Sequence, residues 1–255
     1  MTTPQMGAAM AFEWTKLYTL RSMRFSLLAY VALSVIAGVL TGVFIGRAYA
    51  HKAAPDGFDP VSAGFSGLRL GMIALVVFSV LIVTGEYSSG TISSSLMAVP
   101  RREVHYAAKL LTGASAALAA SLVAVVAGFF GTQSGMGAQS VSLTDDGVTR
   151  SLVGAVLYTT LLCLFSMGLA SLLRSAVLTL GILLPLFFTL STMLSNLPGV
   201  RQAAQFLPDV AGGLVLYRQP PGDTVLGAWT GLGVLVLWTA AAVVAGYWAV
   251  RRRDA

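Results

Sequence analysis

The residues able to do chemistry in this chain of 255 residues gather in one short stretch, Gly85 to Lys109, which reads GEYSSGTISSSLMAVPRREVHYAAK. It holds the carboxylate of Glu86 and, further on, Arg102, His105 and Lys109, which fall within about a 60° arc of one helix. The other reactive residue types lack the company that catalysis needs. No His-Glu-x-x-His pair is present, and His51 and His105 lie outside or at the edge of the apolar runs, which excludes axial haem ligation and a helical zinc site of that kind. Cys163 is the one cysteine and sits inside an apolar run, so neither a disulfide framework nor a thiolate metal site is available. Ser66, in Gly64-Phe65-Ser66-Gly67, has no histidine base in any later run. The chain also lacks a G-x-x-x-x-G-K-[ST] loop and cannot cradle nucleotide phosphates in that way. Energy-driven work by this chain requires an external engine.

The elements that must position the Gly85 to Lys109 stretch are membrane helices. Residues are 56% hydrophobic and only 10% charged, with mean hydropathy +0.80, far from a soluble domain. Apolar runs long enough to cross a bilayer recur over about residues 25–46, 65–84, 106–131, 151–173, 176–197 and 225–250. The expected fold is therefore all-α: a polytopic membrane protein of six transmembrane helices in a single domain, 1–255. Residues 1–9 carry no structural signal. Residues 10–24 read as one amphipathic interfacial helix with Glu13, Lys16, Arg21 and Arg24 on a common arc, Trp14 and Tyr18 lying outside it. An ordinary juxtamembrane helix fits that pattern equally. In the first run Gly38, Gly42 and Gly46 form two successive G-x-x-x-G spacings on one face. The face packs closely on a neighbour, either another helix of this chain or a second copy, since spacing does not name a partner. Ala48-Tyr49-Ala50 imitates a cleavage site, but the run before it far exceeds the roughly 7 to 15 residues of a signal sequence.

Between the second and third runs, Gly90 and Thr91 offer a break and a cap, and Ile92, Leu96 and Val99 recur at i, i+4, i+7 before Pro100. That spacing describes a short amphipathic helix, followed by Arg101 and Arg102. Its apolar face is free to dock on a protein or to bury in the headgroups. Glu86 is either a solvated carboxylate or an acceptor for Lys16, Arg21 or Arg24. Arg69 is expected to snorkel at the outer end of the second run, and Val210 to Tyr217 is too short to cross. Lys16, Arg21, Arg24, Arg101, Arg102, Lys109, Arg174 and Arg251 to Arg253 outnumber Arg47, Lys52, Arg69, Arg150, Arg201 and Arg218. By the excess of basic residues on the inner side, both termini, the 85–109 segment and the Arg174 turn are cytoplasmic. The net charge of +6 is explained by this topology, and no stacking motif points to nucleic acid.

Taken together, these residues resemble type-2 ATP-binding-cassette (ABC-2) transporter permeases of the exporter kind. The resemblance rests on Phe12-Glu13-Trp14-Thr15-Lys16, on Glu86-x-x-x-Gly90-Thr91 closing the second run, on Pro100-Arg101-Arg102 followed by Lys109, and on Arg251-Arg252-Arg253-Asp254. Where family members often carry a basic residue between the glutamate and the glycine, this chain has Ser88-Ser89. The resemblance implies a plasma-membrane permease whose Ile92 to Val99 segment is a coupling helix docked into a separate ATPase subunit, two permeases pairing with two ATPases. Glu86, Gly90, Thr91, Ile92, Leu96, Val99, Pro100, Arg101, Arg102 and Arg174 would form the docking region. ATP and magnesium would belong to the partner ATPase, with no cofactor and no enzymatic activity in this chain. The cargo would be an apolar or amphipathic solute such as a drug, lipid or peptide. The alternative is a non-transporting anchor or sensor subunit that assembles with an ATPase or another protein.

Overall fold

A computed structural model describes residues 3–88, 102–197, 199–221 and 224–252. Helix α1 (Thr3–Thr19) ends where Leu20 turns extended at φ −80°, ψ 113°, and α2 (Arg21–Ala48) follows at once. This corrects the single helix expected over 10–24: the break passes Arg21 and Arg24 to the first span and leaves Glu13 and Lys16 on α1. Residues 3–9, which carry no structural signal in the sequence, are helical as part of α1. Ala9 is buried in a small cluster with Val104 and Ala108, flanked by Met6 and Met10, a tertiary contact that extends the helix toward the chain start.

Asp59 caps α3 (Pro60–Gly64) by accepting from the Val61 N–H at 2.9 Å, with Pro60 pre-set for the first turn. Helix α4 (Ser66–Ser88) follows, then α5 (Arg102–Met136), which at 1.5 Å per residue is about 52 Å long and outreaches the hydrocarbon layer. Helix α6 (Val148–Leu173) stops at Arg174, whose φ of 53° makes a left-handed turn, and the Ser175 hydroxyl then caps α7 (Ala176–Pro185) by accepting from Leu178 N–H. The fifth span is completed by a π-helical turn, Leu186–Leu190, and α8 (Ser191–Asn196). Pro185 lacks an N–H and so breaks the regular ladder just where the wider turn begins. Short helices α9 (Arg201–Ala204) and α10 (Pro208–Gly213) lead to the last span, α11 (Ala228–Arg252).

Six of the described helical stretches are long and apolar enough to cross a membrane, and no strand occurs among the described residues, so the protein is an all-α polytopic membrane protein. Helix α4 lies at the centre: 72% of its most apolar window is buried, against 22% for the first and fifth spans. Phe78, Ser79 and Val80 on it are wholly enclosed. Gly67 and Gly71 let α4 approach α2, where a Cβ would overlap the Ser34 carbonyl or hydroxyl. Large side chains such as Phe44, Val177 and Leu237 point outward, as lipid solvent allows. The segment from Arg201 to Leu216 turns inward, with Ala204, Ala211, Gly212 and Val215 buried, and Gly231 of α11 lies against the Ala211 carbonyl.

Candidate functional site

The charged residues that should avoid the apolar interior instead form one enclosed cluster, built from three helices. Helix α1 brings Glu13 and Lys16, one turn apart, the end of α4 brings Glu86, and the first turns of α5 bring His105 and Lys109. The Lys109 ammonium donates to both oxygens of Glu13 at 3.1 Å, to Glu86 Oε1 at 3.0 Å and to the Ile82 carbonyl at 3.3 Å. Lys16 donates to Glu13 Oε1 at 2.9 Å and to Glu86 Oε1. His105 Nε2 lies 3.2 Å from Glu86 Oε2. Exposures of 1% for Glu13, 5% for Lys109 and 7% for Glu86 place this network out of solvent, where unpaired charge is prohibitive. Two carboxylates facing two ammonium groups leave it neutral with a neutral imidazole.

Burial raises the Glu13 carboxyl, but Lys109 and Lys16 outweigh it and leave the group below the usual carboxylate value. Burial and the Lys109 ammonium pull Lys16 down to about 8 against the opposing attraction of Glu13. Ligand atoms of Glu13, Glu86 and His105 lie within 4.8 Å of one another, close enough to hold a metal ion. Their carboxylate oxygens already accept from two ammonium groups, which a divalent ion would have to displace. With no nucleophile in the network, its chemistry is that of a clamp: it fastens α1 to the facing ends of α4 and α5, on either side of the 89–101 connection.

Of the residues singled out from sequence, Glu86 and Lys16 are in contact here, while Arg21 and Arg24 are exposed on α2. Arg102 is half-buried at the start of α5. Gly90, Thr91, Ile92, Leu96, Val99, Pro100 and Arg101 lie outside the described residues. Arg174 donates to the Ala249 carbonyl of α11 at 3.0 Å, tying the α6–α7 turn to the end of the last span. Gly38, Gly42 and Gly46 face α5, with a Cβ at Gly42 overlapping the Thr132 carbonyl and one at Gly46 overlapping that of Gly135. Sequence reasoning overlooked Lys109 as a partner of Glu86, and Glu13 as the second carboxylate sharing its lysines. Their signals were present separately, as the i, i+3 pair on α1 and the i, i+4 pair His105 and Lys109 on α5, with nothing local to join them.

A second feature occupies the opposite end of α4. A cavity of about 380 Å³ opens between Arg69 on α4, Tyr158 on α6, Phe188 and Thr192 on the fifth span, and Asp209 on α10. Arg69 does not snorkel freely there, since its Nη2 donates to Thr192 Oγ1 at 2.8 Å. From Arg69 to Glu86 along α4 is roughly 26 Å, so one rigid helix separates clamp and cavity.

A family model described as ABC-2 family transporter protein matches residues 9–196, from α1 through the fifth span and including every member of the clamp. None of the curated proteins matches the chain.

Proposed function

The chain belongs to the ABC-2 transporter family, and we propose that it is the permease subunit of an exporter driven by a separate ABC ATPase. The observation that carries this reading is the clamp. A buried ionic network at the two ends that flank residues 89–101 makes α1, α4 and α5 move as one body there. Force applied to the 89–101 connection by a docked ATPase would then tilt α4 and α5 together, instead of bending one helix end. Helix α4 would carry that tilt to the cavity at its other end. The Ile92 to Val99 segment is the proposed docking helix, with Leu96 as its anchor, and the Arg174 turn is a second contact. ATP and magnesium sit on the ATPase, two permease copies pair in the plasma membrane, and both termini face the cytoplasm. The cargo is an apolar or amphipathic solute carried outward.

The test is co-purification. The tagged permease and its Leu96→Asp variant are compared at matched membrane abundance for retention of an ATPase and for ATP-driven efflux. Burying one leucine is worth about 1.5 to 3 kcal/mol, so Leu96→Asp should weaken the complex about tenfold or more. Full retention and full efflux in that variant would sink the docking assignment. A parent chain that brings down an ATPase yet moves no solute would instead favour an anchor or sensor subunit.

A further inference from the structure

We infer that the cavity at the far end of α4 is a binding site for an amphipathic organic cation, with Asp209 as its counter-ion. The site deepens the proposed transport role, but binding to it is separable from transport. Asp209 is 8% exposed, accepts from the Ser191 hydroxyl at 2.8 Å, and makes no ion pair among the described residues. Ser191 itself is 1% exposed. Burial outweighs the Ser191 hydroxyl, the backbone N–H groups of Asp209 and Val210 and the attraction of Arg69, and no cation contacts the carboxylate among the described residues to offset its desolvation. The rings of Phe65, Phe187, Phe188 and Tyr158 line the same chamber, and aromatic faces beside a carboxylate are the recognition chemistry of ammonium and phosphonium groups on an apolar body. About 380 Å³ falls within the range of pockets that hold small amphipathic ligands.

The other charged or titratable groups lining the chamber are Arg69 on α4, Tyr158 on α6, Arg201 at the start of the inward-turned segment and Tyr217 just after it; none of the lining belongs to α11. Arg69 is exposed and bonded to Thr192, so its charge lies toward the mouth. Arg201 is exposed as well, so Asp209 is the buried charge of the chamber, and an anionic solute reaching it would meet a like charge. Burial pushes Asp209 up to about 6, with the Ser191 hydroxyl, the backbone N–H groups of Asp209 and Val210 and the Arg69 charge opposing it. Binding of a permanent cation should therefore strengthen as pH rises through that value and level off above it.

The experiment measures equilibrium binding of tetraphenylphosphonium, and of tetraphenylborate as an anion of the same shape, to the full chain in detergent without any ATPase. The cation should bind saturably and more tightly at pH 7.5 than at pH 5. Asp209→Asn, which keeps an acceptor for Ser191, should weaken it at least tenfold and remove the pH dependence, whereas Asp56→Asn on an exposed loop should not. Unaltered cation binding by folded Asp209→Asn, or tighter binding of the borate than of the phosphonium, would overturn the inference. Should Asp209→Asn fail to fold, a parent chain with equal cation binding at both pH values overturns it as well. Because no ATP is involved, loss of efflux with intact binding would count against the transport reading alone.

Discussion

Replacing Glu13 with glutamine removes one of the two negative charges from the clamp and leaves Lys16 and Lys109 sharing Glu86. Breaking a buried pair by deleting one partner costs about 3 to 5 kcal/mol. Lys109 keeps Glu86 at 3.0 Å and the Ile82 carbonyl at 3.3 Å, and Lys16 reaches water through a side chain 18% exposed. These remaining contacts bring the expected cost to about 2 to 3 kcal/mol. At 1.4 kcal/mol per factor of ten, the population with α1 undocked should rise roughly 30- to 150-fold. Ala9 reports this directly, being 1% exposed under α1 against Val104 and Ala108. In a Cys163→Ala background, an Ala9→Cys thiol should label faster by that factor when Glu13→Gln is added. Adding Lys16→Met as well restores neutrality, with Glu86 facing Lys109, and should recover at least half of the change on a logarithmic scale. Unchanged labelling in Glu13→Gln, or no recovery in the double variant, would refute the claim that charge balance holds α1 down.

At Gly42 a Cβ would overlap the Thr132 backbone, so Gly42→Ala should cost about 1 to 3 kcal/mol and lower the Tm in detergent by several degrees, while Gly181→Ala, with open space around it, should not. Acid should loosen the clamp in a defined window. Glu13 lies below its ordinary value of 4.5 in the folded chain, so its contribution is complete above that pH and is lost as pH falls through and below it. The difference in Tm between the parent and Glu13→Gln should accordingly hold between pH 7 and pH 6 and shrink in more acid solution. For the topology, single cysteines at Gly137 and Asp254 in a Cys163-free chain should label from opposite sides of the membrane, and labelling of both from outside would refute it.

What the sequence by itself determined is whatever depends on neighbours along the chain. Six apolar runs of bilayer length are a local property, and lipid forces each to close its own backbone hydrogen bonds as helix, so architecture follows from composition. The i, i+4 spacing of Gly38, Gly42 and Gly46 likewise marks a close-packing face, but that it meets α5 at Thr132 and Gly135 is visible only in three dimensions. The break at Leu20 was illegible, because Arg21 and Arg24 continue the charged arc of Glu13 and Lys16 and no glycine or proline punctuates it. What the Arg201 to Leu216 segment packs against was hidden too, since an apolar stretch too short to cross does not say what it rests on, and only the fold sets Gly231 against the Ala211 carbonyl. Both charged sites belong to tertiary structure for one reason. A carboxylate can be buried only where a partner from elsewhere in the chain arrives to stabilise it, and Glu13 meets Lys109 across 96 residues while Asp209 meets Ser191 across 18. Periodicity says which face of a helix is apolar. Which charges share an interior is decided when separate helices fix their distances to within a hydrogen bond.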